Sequence, residues 1–186
     1  MKLFLSRNVP FNTVLSDDEG HARYAISSLG KYIPGATTIS RVSSETEDEE
    51  GDNESLSGKG LLDKPTFRDD GGFATLHWKI LNSTTLDYNC QVYEISSFLP
   101  RTNFLNNKRT FQGPDGVTYT WSIGGPTSCL HVQDENGVKR RVVRMQQRNI
   151  FTGKKPHLDI DPSVLHILDL IIITWVYMET KRRERN

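Results

Sequence analysis

The 186-residue sequence predicts a mainly β fold, a closed antiparallel β-barrel of about ten to twelve short strands that encloses a C-terminal hydrophobic helix. Three observations lead to this prediction. Short segments of alternating apolar and polar residues recur between turn signals along most of the chain. A nearly all-apolar helical stretch, residues 164–178, follows them, and such a helix must be buried. A closed barrel would bury it and would leave no free strand edges.

The first strands are predicted from alternation and from the turns between them. Residues 13–15 and 21–27 flank the polar turn 16–20, which is a hairpin signal. Residues 2–6 form a short opening strand, and the β-branched residues in 36–43 predict another. The N-terminal part of the chain is therefore expected to form part of a meander.

The later strands follow the same pattern. Residues 73–81 give a clear strand because Ala74, Leu76 and Trp78 alternate with polar residues. Residues 88–96 are predicted to be its hairpin partner. Further strands are predicted at 109–111, 118–123, 129–133, 138–148 and 157–160.

The helix is predicted over residues 162–182. Asp161 can cap its N-terminus, Pro162 suits the first helical position, and the basic residues from Lys181 onward complement the helix dipole. The residues predicted to carry its structural role in the core are Leu168, Ile171, Ile172 and Trp175.

A membrane span is the alternative interpretation of this helix. The apolar run is about 15 residues, or roughly 22 Å of helix, and a bilayer core is about 30 Å thick. Asp169 lies inside the run, and an acidic residue at the bilayer centre costs roughly 2.5–3.5 kcal/mol. The sequence therefore favours a buried core helix and no transmembrane span.

Residues 44–72 are acidic and rich in serine and glycine. Such a composition cannot bury enough apolar area to offset the entropy of ordering. We predict a disordered acidic insertion between two strands of a single domain, residues 1–186. The insertion is either a solvated spacer or a partner-binding loop with phosphorylatable serines.

Composition and motifs exclude several classes of function. The net charge is zero, and no exposed aromatic residues interleave the arginines, so nucleic acid is not an expected partner. No catalytic or metal-binding motif occurs, so we expect a non-enzymatic protein without metal or cofactor. Cys90 and Cys129 cannot form a disulfide framework, and the N-terminus lacks a signal-peptide core. An intracellular, cytoplasmic location is expected.

The basic C-terminal third contains the candidate binding residues. Regular alternation along 138–148 places Arg140, Arg144 and Arg148 on one face, with Lys139, Lys154 and Lys155 near its ends. Such a row can hold anionic phospholipid headgroups through bidentate contacts. The alternatives are an unidentified protein partner, or a solvated outer face that pairs with the acidic insertion.

His166 and Asp169 provide the alternative site. They are three residues apart on one helical face and can hydrogen-bond to each other. The alternative function is therefore a small-molecule-binding barrel, carrier or enzyme, with its site at the barrel mouth near His166. A structural interpretation is a polar stripe that satisfies strand backbone groups at the mouth.

Several segments also resemble known families. Thr110-Phe111, the stretch DGVTYTW at 115–121, and the ending LDLIIITWVYME at 168–179 with Arg182-Arg183 resemble an uncharacterised fungal domain family. Their order is similar to that in the tubby C-terminal, LURP-one-related and phospholipid-scramblase group. The resemblance covers nearly the whole chain except the acidic insertion. It implies a closed antiparallel barrel around a central hydrophobic helix, but the headgroup-binding residues of tubby domains match no positions here.

Overall fold

The computed structural model describes residues 1–29, 35–42, 72–79, 83–102, 107–124, 127–133, 137–149 and 152–185. Of the predicted acidic insertion, only Gly72 is among these residues. The strands are β1 (Lys2–Leu5), β2 (Thr13–Ser16), β3 (Ala22–Leu29), β4 (Ala36–Arg41), β5 (Ala74–His77), β6 (Thr85–Tyr88), β7 (Gln91–Glu94), β8 (Lys108–Gln112), β9 (Thr118–Gly124), β10 (Thr127–Gln133), β11 (Lys139–Gln146) and β12 (His157–Ile160). The helices are α1 (Ile95–Phe98), a 3-10 helix (Pro162–Ile167) and α2 (Leu168–Arg183).

All twelve strands of the described chain form one antiparallel sheet in the order β7-β6-β5-β4-β3-β2-β1-β12-β11-β10-β9-β8. The order follows the chain in two runs of hairpin neighbours, which meet where β1 pairs with β12. Because alternate residues are buried in most of the strands, the sheet has an inner apolar face and an outer polar face. The prediction of a mainly β, antiparallel fold with a C-terminal helix is confirmed.

The two edge strands, β7 and β8, are not hydrogen-bonded to each other in the described residues. From β7 the chain passes through α1 to residues 100–102, which pair with β8 instead. The Thr110 N–H donates to the Pro100 carbonyl at 3.0 Å, and Arg101 lies opposite Arg109 in an isolated bridge. We call the region between the two edge strands, where residues 100–102 pair with β8, the seam. Hydrogen bonds between β7 and β8 therefore do not close the sheet into a barrel.

The segment predicted as a single strand at 88–96 contains three elements, so that prediction is wrong. Asn89 and Cys90 both have positive φ angles, 51° and 58°, and turn the chain between β6 and β7. Two successive positive φ angles are typical of a tight hairpin turn, which usually carries glycine at its second position. Cysteine at that position hides the turn signal. Residues from Ile95 onward then form α1 rather than more strand.

The helix α2 lies at the centre of the fold. Every residue from Ile171 to Thr180 is buried, so this part of the helix lies inside the core. By length and composition the stretch Pro162–Arg183 is able to cross a membrane, but 67% of its apolar window is buried inside the fold. Ile171, Ile172 and Trp175 have no exposed surface, and Leu168 is half-buried. The prediction of a core helix is confirmed.

The start of the helix differs from the prediction. Asp161 does cap it, because its carboxylate accepts a hydrogen bond from the Ser163 N–H at 2.9 Å. The first six residues, Pro162–Ile167, however, form a 3-10 helix. This tighter helix has three residues per turn, so Val164 and Ile167 share one side, and both are buried.

Side chains attach α2 to the sheet at both ends. At its N-terminal end, here called the upper end, Asp169 accepts a 2.8 Å hydrogen bond from the Tyr24 hydroxyl and pairs with Arg41. At its C-terminal end, the lower end, Glu179 accepts a 3.2 Å hydrogen bond from Ser128. These partners belong to β3, β4 and β10, which are far apart in the strand order, so the sheet curves around the helix.

Candidate anion-binding face

A β-bulge in β11 decides which arginines share a face. Cys129 pairs with Arg144 and Leu130 pairs with Val143, but the next residue of β10, His131, pairs with Arg141. Val142 is therefore an extra residue in β11, and the side chains before and after it follow different alternations. Consistent with this, Val142 and Val143 are both buried, with 2% and 1% exposure.

The bulge makes the predicted arginine row wrong. Arg140 pairs with Val132, which in turn pairs with the buried Tyr119, so Arg140 lies on the inner side of the sheet. Arg144 pairs with Cys129 and lies on the outer side. The sequence prediction assumed unbroken alternation, which a bulge interrupts. Two adjacent valines within the strand were the signal that could have revealed it.

Arg140 has a structural role where the chain enters the helix. Its Nη1 donates to the Asp161 carboxylate at 2.8 Å, and its Nη2 donates to the Ser163 hydroxyl at 3.0 Å. Asp161 also accepts from the Ser163 N–H, and these hydrogen bonds lower its carboxyl pKa below the ordinary value of 3.8. The Arg140 guanidinium is thus already bound and is a poor candidate for a ligand contact.

Other cationic residues, and not Arg140, lie on the outer side of the sheet. Arg141 lies on the face of Arg144, because each pairs with an outward residue of β10. Lys108 of β8 and Lys2 of β1 lie in line with Arg144, because successive strand pairings connect all three residues across the sheet. Arg148, Lys154 and Lys155 are exposed just below this row. We call this set the outer cationic face: Lys2, Lys108, Lys139, Arg141, Arg144, Arg148, Lys154 and Lys155.

A groove of about 320 Å³ runs along the outer cationic face at the bulge. Lys2, Arg141 and Arg144 line it together with the carboxylates of Asp159 and Asp161. Among the described residues, no carboxylate lies within 4.0 Å of the three cationic side chains. The groove thus contains three cationic side chains that form no ion pair with the described carboxylates.

Arg144 provides the most specific feature of the groove. Its Nε is buried and has no hydrogen-bond partner among the residues that the structure describes. Asp159, the residue opposite it on β12, accepts instead from the Gln146 amide at 3.2 Å. A buried donor without a partner carries a free-energy penalty of about 1–3 kcal/mol.

His131 lies on the same face and is not a charge carrier there. Burial lowers its pKa below the ordinary 6.5, and the positive charges of Arg141, Lys108 and Lys139 lower it further. The imidazole is therefore neutral at physiological pH, and the charge of the face comes from lysine and arginine alone.

The upper end contains a separate network around His166. The His166 Nε2 lies 2.8 Å from Asp115 Oδ2, and the Tyr119 hydroxyl donates to the same oxygen at 2.7 Å. Burial raises the Tyr119 pKa, and its hydrogen bond to Asp115 raises it further. The predicted hydrogen bond between His166 and Asp169 is not formed, because Asp169 binds Tyr24 and Arg41. His166 and Asp169 therefore bind side chains rather than strand backbone.

Gly113 makes this network possible. A Cβ at this position would lie 2.4 Å from Asp115 Oδ1 and 2.9 Å from Tyr119 Cε2. Any side chain at Gly113 would therefore displace the Asp115 carboxylate from its partners. Asp115 and Tyr119 were not recognised as a site from the sequence, although the Asp-Gly and Tyr-x-Trp pattern around them is distinctive.

The remaining candidate groups do not form a reactive site. Cys90, at the β6–β7 turn, and Cys129, on β10, are both free thiols on strands far apart in the sheet order. Asp17, Glu19 and His21 bring ligand atoms within 4.8 Å of one another in the β2–β3 turn. The Asp17 carboxylate, however, accepts from the Glu19 and His21 N–H groups, as expected of a solvated turn.

The fold defines the class of the protein: a mainly β domain in which one twelve-stranded antiparallel sheet curves around a C-terminal helix. A family model described as a family of unknown function, DUF6593, matches residues 8–184. The chain therefore belongs to that family, which covers every element except the first strand. No curated protein and no solved structure matches the chain.

Proposed function

We propose that the protein is a non-enzymatic intracellular binding module whose outer cationic face holds anionic lipid headgroups. The observation that carries the proposal is the groove at the β11 bulge, where Lys2, Arg141 and Arg144 lie without carboxylate partners. Guanidinium groups bind phosphate through two parallel hydrogen bonds. The buried, unpartnered Arg144 Nε is oriented by the fold before any ligand arrives.

A cytoplasmic location, expected from the sequence, would place this face beside the anionic inner leaflet of a membrane. Each basic residue near such a surface contributes about 1 kcal/mol of attraction. Arg148, Lys154 and Lys155 extend the face beyond the groove and are exposed. An extended cationic face next to one headgroup groove suits a membrane surface better than a single soluble ligand.

The proposal also concerns the architecture, which we propose is a tubby-like barrel. In this barrel, side-chain packing at the seam closes the gap between the edge strands that hydrogen bonds leave open. Ile95 of α1 is buried at 3% exposure, and Leu99 has none. The inside of the sheet is filled by α2, whose residues from Ile171 to Met178 have 3% exposure or less. A helix-filled interior supports a module that binds on its outer surface.

The alternative, a small-molecule site near His166, has weaker support. The Asp115 carboxylate already binds His166, Tyr119 and the Val117 N–H. A ligand would have to break these contacts rather than fill unused ones. The outer groove, by contrast, contains the Arg144 Nε, a donor that has no partner among the described residues.

Vesicle sedimentation tests the proposal. The protein should pellet with vesicles containing phosphoinositide or phosphatidylserine and not with neutral vesicles, and added salt should weaken binding. Replacing Arg141 and Arg144 by Glu should weaken binding by about 30-fold or more, since two basic residues contribute about 2 kcal/mol. The matched control replaces two exposed cations elsewhere, Arg23→Glu and Lys79→Glu. Absence of pelleting at low salt, or equal loss in both double variants, would refute the lipid site.

A further inference from the structure

Three arginines gather at the lower end of the seam, away from the outer cationic face. Arg101 and Arg109 lie directly opposite each other in the bridge that joins residues 100–102 to β8. Arg185, beyond α2, donates to the Asn107 side chain just before β8. We call Arg101, Arg109 and Arg185 the seam cluster.

The charges of the seam cluster are not balanced by a carboxylate of the described residues. In the part of the chain that the structure describes, none of its three guanidinium groups has a carboxylate within 4.0 Å. The nearby Lys181 pairs with Glu184 at 2.7 Å, so that carboxylate is occupied. Burial lowers the Arg109 pKa, and the positive charges of Arg101 and Arg185 lower it further. The three charges therefore act on one another.

Such an arrangement is unfavourable unless something binds it. Like charges directly opposite each other on neighbouring strands destabilise a sheet. Arg109 is also half-buried, where its charge is screened less than on the open surface. An anion between the guanidinium groups would turn this repulsion into attraction.

Arg109 of the cluster lies on an aromatic base formed by Tyr177 and Trp78. The Arg109 Cζ lies 5.0 Å from the centre of the Tyr177 ring, and its Nη1 donates to the Leu99 carbonyl at 2.6 Å. Tyr177 stacks on Trp78, with the ring centres 5.8 Å apart and the planes 3° from parallel. Trp78 is held in turn by a 2.8 Å hydrogen bond to Thr37. Arg109 is thus positioned in advance, which lowers the entropic cost of binding.

We propose that the seam cluster is a binding site for a phosphate dianion, either inorganic phosphate or a phosphate monoester. Arg101 and Arg109 would each present a planar fork to the phosphate oxygens, and Arg185 would supply the third cation. The site differs from the outer groove, because Arg109 pairs with the buried Trp121 and its neighbour Lys108 lies on the opposite face. It does not depend on the proposed lipid site.

Thermal unfolding and calorimetry with inorganic phosphate test the proposal. Phosphate should raise the Tm of the unmodified chain more than chloride does at equal ionic strength, and calorimetry should detect the binding. The test variants are Arg101→Gln and Arg185→Gln, because both residues are exposed and neither variant leaves a buried group unpaired. Each should weaken phosphate binding at least tenfold. In phosphate-free buffer, Arg101→Gln should also raise the Tm, because it removes repulsion.

The control is Arg148→Gln, an exposed arginine of the outer cationic face, which should keep the full response to phosphate. Vesicle binding by Arg101→Gln should stay unchanged, which separates a free phosphate at the seam from a lipid headgroup on the outer face. The proposal is overturned if phosphate and chloride have equal effects, or if Arg101→Gln keeps the full response. A lower Tm of Arg101→Gln in phosphate-free buffer would also count against it.

Discussion

The Trp121 indole on β9 donates a 2.8 Å hydrogen bond to the Thr174 hydroxyl in the middle of α2. Both residues have no exposed surface, and the Thr174 hydroxyl donates in turn to the Leu170 carbonyl at 2.6 Å. This contact ties the sheet to its central helix inside the core. The next residue of the helix, Trp175, is equally buried, but its indole N–H has no partner in the described part of the chain.

The two indoles give a matched pair of substitutions. Trp121→Phe should lower the free energy of unfolding by about 1 kcal/mol more than Trp175→Phe does, because only the first removes a hydrogen bond. Both changes leave a similar void, so their difference isolates the polar contribution. Urea denaturation of both variants measures it. An equal or larger loss for Trp175→Phe would show that the indole N–H of Trp175 has a partner.

A second prediction concerns the core position of α2. Ile172→Asp places a charge where the side chain has no exposed surface, and we expect it to prevent soluble folding. Leu165→Asp is the control, because Leu165 in the 3-10 helix is 38% exposed and should tolerate the charge. Soluble expression and circular dichroism distinguish the two. A folded Ile172→Asp variant would contradict the central position of the helix.

The third prediction concerns Asp115 and acid stability. Burial alone would raise its pKa, but hydrogen bonds from His166, Tyr119 and the Val117 N–H outweigh burial and lower the pKa below 3.8. A carboxyl with a lowered folded-state pKa contributes stability above its ordinary pKa and loses it as the pH falls through the folded value.

Asp115→Asn should therefore be less stable than the unmodified chain at neutral pH, and the difference should shrink below pH 3.8. Urea denaturation over a pH series measures this difference. Asp18→Asn is the control: it changes an exposed carboxylate that accepts one 3.3 Å hydrogen bond from the Lys2 N–H, so its effect should be small. A difference for Asp115→Asn that does not change with pH would exclude the proposed linkage.

The fourth prediction concerns the segment before β5. Because Ile39 of β4 pairs with Ala74 of β5, the segment joins neighbouring strands, and we expect its length to affect only the entropy of loop closure. Replacing residues 44–71 by a short Gly/Ser linker should change the free energy of unfolding by about 1 kcal/mol or less. Gly72 must stay, because a Cβ there would lie 2.6 Å from the Ile39 carbonyl.

Chemical denaturation of the shortened chain measures this change. A chain with residues 44–71 in shuffled order is the control for composition, and it should be as stable as the original. A loss of several kcal/mol on shortening would mean that the segment packs on the fold and is not a spacer.

Local patterns were enough to predict much of the fold. Alternation identified the buried faces of β5 and β9, with Leu76 and Trp121 inside, because a strand with one solvated face needs period-two polarity. The helix cap at Asp161 was also predictable, because capping depends on residues adjacent in the sequence. The β6–β7 turn was not, because its positive φ angles occur without glycine.

The sequence by itself determined that this protein is a mainly β domain around an apolar C-terminal helix, because burial of apolar surface follows local periodicity. Only the tertiary structure decided which cations act together. The bulge at Val142 turns Arg140 inward to Asp161 and leaves Arg141 beside Arg144, and a pairing register is not encoded in one strand alone. The seam cluster likewise joins Arg101, Arg109 and Arg185 from three separate segments, because long-range folding, and not sequence spacing, brings their charges together.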